Sequence, residues 1–246
     1  MYQTTKALVL REVRYKEADR MLTLLTESEG KLTVKARGAL RKSSRTAAAT
    51  QQLTYAELTL FGNRGRWTVN EGSVIEGFAG LRDDIEALAL GSYFAECLEA
   101  LSAEEQPDEA LLQLALNSLY ALSRGLYERQ KIKAAFELRL MCLAGYAPDL
   151  SGCGSCGNEP QQPVLDLLNG RVYCRTCPKE GACAPLDGEA LAALRYIAAA
   201  PAKRLFSFAL EGEPLRRLAA ATEGYLLQQT ERRFGTLDYY KLIRTR

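Results

Sequence analysis

Four cysteines are spaced in a way that could bind a metal ion. Cys153 and Cys156 form one C-x2-C pair, and Cys174 and Cys177 form a second pair after a gap of 17 residues. This spacing is typical of a structural zinc ribbon, in which each pair lies on a tight turn and points two thiolates at one ion. We therefore predict one structural Zn²⁺ bound by these four residues.

The other cysteines leave some alternatives open. A redox dithiol would explain the first pair but not the second, and disulfides are rare in cytosolic chains. Cys183 is a spare thiol that could replace one ligand, whereas Cys97 and Cys142 fall in apolar helical patterns that predict burial. The zinc is expected to order its own segment, and a contact of that segment with DNA through Arg171 and Arg175 is the alternative.

Histidine is absent from the chain. Its absence excludes Ser-His-Asp and Cys-His catalysis and every histidine-containing metal site. The sequence also lacks a Walker loop and a glycine-rich dinucleotide fingerprint. Neither cysteine pair follows a proline, as it does in zinc nucleobase deaminases. A site built from carboxylates alone stays open, but no pair stands out, and we expect no enzymatic activity.

A second group of side chains could bind a polyanion. Polar and apolar residues alternate from 31 to 37, and the polar ones are Lys31, Thr33, Lys35 and Arg37. A period of two predicts a β-strand with one face in a core and the other in water. Three further cations follow, at Arg41, Lys42 and Arg45. A row of cations on a rigid sheet can hold a phosphate backbone.

The charges are unevenly distributed along the chain. Residues 1–80 carry a net charge of +5, residues 81–152 a net charge of −6, and residues 153–246 a net charge of +3. The first segment should attract polyanions and the second should repel them. The alternative is that these charged residues form solvated surfaces with no role in binding.

Residues 1–80 have the pattern of a small β-barrel. Five strands are predicted, at Ala7–Val13, Arg20–Thr26, Lys31–Arg37, Leu53–Phe61 and Trp67–Ile75. A long connection between the third and fourth strands fits the OB-fold, which binds oligonucleotides on strands two and three and on the loops joining strands 1–2 and 4–5. The basic residues near these places are the predicted DNA-binding residues: Arg14, Lys16, Arg20, Lys31, Lys35, Arg37, Arg41, Lys42, Arg45, Arg64 and Arg66.

Four aromatic residues of this segment could stack on bases or pack in the core. We expect core packing for Phe61 and Trp67, and both roles stay open for Tyr15 and Tyr55.

After Gly80 the apolar period changes to that of helices. One helix is predicted to reach Leu101, a second contains Leu112–Leu119, and a third contains Ile132–Leu143. Asp187 is expected to cap a fourth helix, and Pro214 is expected to lie in the first turn of a last one. The fold class is therefore α+β with two domains: an OB-fold at 1–80 and a helical domain at 81–246, with a four-cysteine zinc ribbon inserted at about 150–178.

Several segments resemble the RecO family of bacterial recombination mediators. They are Tyr15–Arg20, Gly30-Lys31, Ala36–Gly38, Arg41–Arg45, Leu60-Phe61 and the cysteine ribbon after a long helix. The likeness covers nearly the whole chain, and its N-terminal motif is the most specific part.

The resemblance implies an N-terminal OB-fold followed by a helical domain with a four-cysteine zinc site. It implies a protein of recombinational DNA repair, in the RecFOR pathway, that binds single- and double-stranded DNA and anneals complementary strands. With RecR, such a protein helps to load RecA onto DNA coated by the single-stranded-DNA-binding protein, whose acidic C-terminal tail it contacts.

Two other functions fit the same pattern: an RNA-binding or ribosome-associated module, and a protein-interaction scaffold. No stretch is long and apolar enough to span a bilayer, and Met1–Leu10 lacks the apolar core of a signal peptide. A cytoplasmic, nucleoid-associated location is therefore expected.

Overall fold

The computed structural model describes residues 1–179 and 181–244, which pack into two compact units. The first unit is Met1–Arg124 with the C-terminal segment from Phe234, and the second is Gly125–Arg233. The predicted domain boundary near residue 80 follows the change from strands to helices along the chain, and it stays a prediction. Within the described ranges, no helix combines the length and apolar character needed to cross a membrane.

The first unit contains a closed barrel of five strands with the order β1-β2-β3-β5-β4. Neighbouring strands are antiparallel except for β3 and β5, which run parallel and close the barrel. This topology is that of the OB-fold and confirms the prediction. The strands are β1 (Tyr2–Tyr15), β2 (Asp19–Thr26), β3 (Gly30–Ala36), β4 (Tyr55–Asn63) and β5 (Arg66–Glu76).

The barrel core forms because apolar residues alternate along its strands. In β3, for example, Leu32, Val34 and Ala36 are buried in the barrel core, and the residues between them point outward. A bulge shifts the register of β1 between Val9 and Arg11. Residues 7–10 are buried on both faces of β1, which packs against the barrel core on one side and contacts a helix on the other.

Three helices complete the first unit: α1 (Ile85–Leu101), α2 (Glu109–Ser123) and α6 (Gly235–Arg244). Asp84 and Asp108 cap α1 and α2 by accepting hydrogen bonds from backbone N–H groups of the first turn. The sequence pattern does not predict α6, since it places the last helix at Pro214. The buried residues of α6 include Leu237 and Tyr240, and a pattern so short is a weak sequence signal.

The chain after α1 covers part of β3. The backbone N–H of Lys31 donates to the oxygen of Ala103 at 3.4 Å, and the N–H of Glu105 donates to the oxygen of Lys31 at 3.2 Å. Gly30 has a φ of +67°, and a Cβ there would lie 2.2 Å from the backbone oxygen of Gln106. A glycine is therefore required at this crossing, which fixes residues 103–106 against the start of β3.

The second unit contains α3 (Arg129–Leu143), α4 (Gly188–Ala199) and α5 (Gly212–Thr230). Asp187 caps α4 by accepting a hydrogen bond from the N–H of Ala190 at 2.8 Å, as predicted. Between α3 and α4 lies a small antiparallel sheet with the order β7-β6-β8, formed by β6 (Pro163–Asp166), β7 (Arg171–Cys174) and β8 (Cys183–Pro185).

A buried ion cluster joins α3 to α5. The Lys133 ammonium lies 2.6 Å from the Glu137 carboxylate and 2.8 Å from that of Glu223, and Thr222 donates to Glu137 at 2.8 Å. Each charge is paired and hydrogen bonded, as burial requires.

Candidate nucleic-acid interface and metal centre

The two predicted cysteine pairs come together at one point of the second unit. The sulfur atoms of Cys153, Cys156, Cys174 and Cys177 all lie within 4.8 Å of one another. Cys153 and Cys156 belong to the loop before β6, and Cys174 and Cys177 belong to the end of β7 and the turn after it. Cys183 is not part of this cluster. The four-cysteine cluster predicted from spacing is therefore confirmed.

Backbone groups favour negative charge on the buried sulfur atoms. The N–H of Gln161 donates to the sulfur of Cys174, and the N–H of Cys174 donates to the sulfur of Cys153, both at 3.3 Å. Burial opposes ionisation of Cys153, but N–H groups of Cys156, Cys174 and Ser155 lower its pKa to about 6. Burial and the neighbouring cysteines raise the pKa of Cys177 to about 12.

The separation of the four sulfur atoms favours a cation. Four thiolates within 4.8 Å of one another would repel each other, and a divalent cation at their centre would remove the repulsion. Sulfur donors suit a soft or borderline ion and are not the donors that Mg²⁺ or Ca²⁺ prefers. The donor set therefore fits one soft or borderline metal ion.

Most of the predicted DNA-binding residues are exposed around the barrel. Their side chains form no ion pair with another residue that the structure describes, and they lie at three places in the fold. Arg14 and Lys16 are at the β1–β2 turn, and Arg64 and Arg66 are at the β4–β5 turn. The exposed residues after β3 are Arg37, Arg41, Lys42 and Arg45.

Lys35 has a mixed environment. Its ammonium is 2.9 Å from the Asp19 carboxylate and 5.0 Å from the centre of the Tyr15 ring, and its side chain is 26% exposed. The N–H of Gly38 donates to Asp19, and this bond together with Lys35 holds the pKa of Asp19 below its ordinary value. The ion pair fixes Lys35 at the surface and offsets part of its charge.

Two of the predicted DNA-binding residues, Lys31 and Arg20, have side chains that are mostly covered and bonded to other protein groups. The Lys31 ammonium donates to the backbone oxygen of Glu99 at 2.8 Å and lies 3.3 Å from the Glu104 carboxylate, which leaves its side chain 13% exposed. Because α1 and the chain after it cover the start of β3, the predicted cationic face is not open along its whole length. We therefore do not retain Lys31 as a DNA contact.

Arg20 is the second of these residues. Its guanidinium donates to the backbone oxygen of Ala47 at 3.0 Å and to the hydroxyl of Thr50 at 3.1 Å, and it lies 3.4 Å from the carboxylate of Glu12. Arg20 thus holds the loop between β3 and β4, which carries the exposed cations at 41–45. It positions that loop, and we do not retain it as a DNA contact.

A groove of about 940 Å³ lies on the outer face of the barrel. It brings basic and aromatic side chains together, with contributions from all five strands and the β4–β5 turn. Its lining residues include Lys35, Arg37 and Arg66 among the cations and Tyr2, Tyr15, Phe61 and Trp67 among the aromatics. Such a combination suits a polyanion that also presents flat, unpaired rings.

The predicted roles of the four aromatic residues agree with the structure only in part. Trp67 packs in part against the barrel core, while Phe61 is 36% exposed, so core packing was wrong for Phe61. Tyr15 lines the groove, and Tyr55 is half-buried and is not among the lining residues. Tyr2 was missed, because it lies beside Phe61 only in the register of the β1–β4 pair, which the sequence pattern does not give.

The arginines near the cysteine cluster differ from each other. Arg171 is paired with Asp149 at 2.9 Å, and Arg175 is exposed beside the second cysteine pair. A contact of Arg175 with DNA stays a prediction.

Comparison with known proteins identifies two matching family models. Residues 1–78 match the model described as Recombination protein O N terminal, and residues 82–238 match Recombination protein O C terminal. The chain is 35% identical over 245 residues to the DNA repair protein RecO of Acetivibrio thermocellus, covering 98% of this chain and 97% of that protein. It is 33% identical over 247 residues to the DNA repair protein RecO of Symbiobacterium thermophilum, covering 97% and 96%.

Proposed function

This chain belongs to the RecO family of DNA repair proteins, and from that premise we propose that it is a recombination mediator that binds single- and double-stranded DNA and anneals complementary strands. The observation that carries the proposal is the groove on the barrel, where Lys35, Arg37 and Arg66 line the same surface as exposed aromatic rings. The exposed cations of the neighbouring turns extend this surface.

The mechanism is electrostatic. Each phosphate that a Lys or Arg neutralises releases a condensed counterion, so binding is strong, tolerant of sequence and sensitive to salt. If about four phosphates are neutralised, the logarithm of the affinity for single strands falls with the logarithm of salt concentration with a slope near −3. Two strands whose charges are screened on one surface can pair without any covalent step.

The partners of the proposed role follow from the family. With RecR, the chain would help to load RecA onto DNA coated by the single-stranded-DNA-binding protein, and it would contact the acidic C-terminal tail of that protein. The acidic residues in 81–152 disfavour DNA and leave that segment to protein partners. The proposed location is the cytoplasm, at the nucleoid.

We further propose that the four-cysteine cluster holds one structural Zn²⁺. The strands of the inserted sheet are three or four residues long, too short to bury much apolar area. A metal bound by four thiolates supplies the free energy that such a segment lacks. Zinc therefore stabilises the insertion, and the DNA-binding surface is built on the barrel.

A strand-annealing assay across a salt series tests the proposed function. The full chain should accelerate pairing of complementary strands at low salt, and the acceleration should decline as salt rises. Addition of RecR and of the single-stranded-DNA-binding protein tests the mediator role through RecA assembly on coated DNA. Preference for RNA over DNA in competition would favour the RNA-binding alternative, and binding of acidic peptides without any binding of DNA would favour the scaffold.

A further inference from the structure

Three aromatic side chains in the barrel groove are exposed to solvent and are not packed in the barrel core. Tyr2 is 63% exposed, Tyr15 is 43% exposed and Phe61 is 36% exposed, and all three line the groove. Exposed apolar groups that cluster in one place mark a binding surface, since isolated ones are ordinary on any protein.

Two of the rings are carried by paired strands of the closed barrel. Tyr2 and Phe61 are paired residues of β1 and β4, and their ring centres are 5.0 Å apart. Trp67 lies opposite Gly62 in the β4–β5 pair, and a Cβ on Gly62 would come within 2.8 Å of the indole. The missing side chain makes room for the indole, which packs in part against the barrel core.

The cations of the groove suit the phosphates that would accompany stacked bases. Arg37 and Arg66 are exposed beside the rings, and the Lys35 ammonium lies over the ring of Tyr15. By contrast, the cations Arg41, Lys42 and Arg45 are not among the groove's lining residues. The groove therefore offers stacking and charge together, whereas the loop after β3 offers charge alone.

Resting on the proposed function, we propose that the groove is a base-stacking subsite for single-stranded DNA, with Phe61, Tyr2 and Tyr15 as its stacking residues. The faces of bases in a duplex are covered by their neighbours and cannot stack on a protein ring, so a duplex gains only the phosphate contacts. The groove thus binds single strands more tightly than duplex, whereas the basic loop binds both with similar affinity.

Trp67 is the one tryptophan of the chain and lines this groove, so its fluorescence reports on the subsite directly. The full chain is titrated with a short oligothymidine, with an abasic oligomer of the same length and with a duplex of that length. We expect strong quenching at saturation with oligothymidine and weak quenching with the other two. Equal quenching by all three ligands would overturn the stacking subsite while leaving DNA binding intact.

Variants give the second readout. Phe61→Ala combined with Tyr15→Ala should lower the affinity for oligothymidine about tenfold or more and change the affinity for the abasic oligomer and the duplex less than about twofold. Phe61→Leu should reproduce part of the loss, and Phe61→Tyr should restore binding because it keeps a ring. Tyr239→Ala, which removes an exposed aromatic outside the groove lining, is the matched control and should have no effect.

Two results would contradict the proposal. An equal loss for all three ligands would mean that the rings only shape the surface, and an unchanged oligothymidine affinity in the double variant would mean that they contact nothing. If the unaltered chain bound none of the three, the proposed function and the subsite would both be wrong.

Discussion

The ammonium group of Lys31 donates a hydrogen bond to the backbone oxygen of Glu99 at 2.8 Å, close to the end of α1. The carboxylate of Glu104 lies 3.3 Å from the same ammonium. A lysine held in this way has exchanged its water for protein groups and is not free to neutralise a phosphate. Lys31 therefore joins β3 to the end of α1 and the residues that follow it. Lys35, on the same strand, lines the groove instead.

Replacement of Lys31 should affect stability and leave DNA binding nearly unchanged. Lys31→Ala removes a charged hydrogen bond and a partly exposed ion pair, and we expect a loss of about 1–2 kcal/mol in the free energy of unfolding. Urea unfolding measures that loss, and a salt series of DNA binding measures the number of phosphate contacts. A stable variant with a reduced salt dependence would contradict the internal role of Lys31.

Replacement of Arg37 and Arg66 should have the opposite effect. Both side chains are exposed in the groove, so Arg37→Ala with Arg66→Ala should cost little stability. If each contacts one phosphate, the magnitude of the salt slope on single strands should fall by about 1.4. Lys203→Ala, an exposed cation of the second unit, is the control, and the proposed surface would be wrong if Lys203→Ala had the same effect.

Removal of the charge of Asp19 should strengthen DNA binding at neutral pH. Asp19→Asn keeps an oxygen that can accept the hydrogen bond from Gly38, but it releases Lys35 from its ion pair. A free Lys35 adds one cation to the groove, so the salt slope on single strands should steepen by about 0.7. Unchanged binding would mean that Lys35 contacts no phosphate even when it is free.

The same pair predicts how the stability depends on pH. The pKa of Asp19 is lowered from its ordinary value of 3.8, chiefly by the Gly38 N–H and then by Lys35. The stabilisation by this carboxylate is therefore present above that value and is lost as the pH falls below it. Asp19→Asn should be less stable than the unaltered chain at neutral pH, and the difference should shrink in acid. Thermal unfolding of both proteins at a series of pH values measures it.

The features that could be predicted from the sequence are those that local spacing encodes. The period of two along β3 and the two C-x2-C pairs depend on neighbours in the chain, and the barrel and the cysteine cluster follow from them. The fate of Lys31 depends on Glu99 and Glu104, about 70 residues further along. No pattern within β3 could indicate that its first cation would be covered.

The exposed aromatic pair could not be predicted from local sequence either. Tyr2 and Phe61 meet only because β1 pairs with β4 in one register, and the sequence does not state that register. The predicted first strand began at Ala7, which left Tyr2 outside the barrel. A strand that started at Tyr2 would have placed its ring beside Phe61 and predicted the exposed pair.

Loss of one cysteine ligand should release the metal without disturbing the barrel. We expect one zinc ion per chain by atomic emission, and its loss in Cys174→Ser, because serine is a poor ligand for Zn²⁺ and Cys174 also joins the two halves of the site through its N–H. Cys183→Ser should keep the ion, since that thiol lies outside the cluster. The opposite pattern in the two variants would mean that Cys183 is a ligand.

The consequence of metal loss can be localised by hydrogen exchange. A chelator that removes the ion should increase exchange of the backbone amides between residues 150 and 178, because those short strands lose the bonds that hold their ends together. Amides of the barrel should keep their protection, and the affinity for oligothymidine should change little, because the proposed DNA surface is built from β1–β5. A parallel loss of barrel protection or of DNA affinity would show that the metal supports the DNA-binding surface as well, and the purely local role of zinc would be wrong.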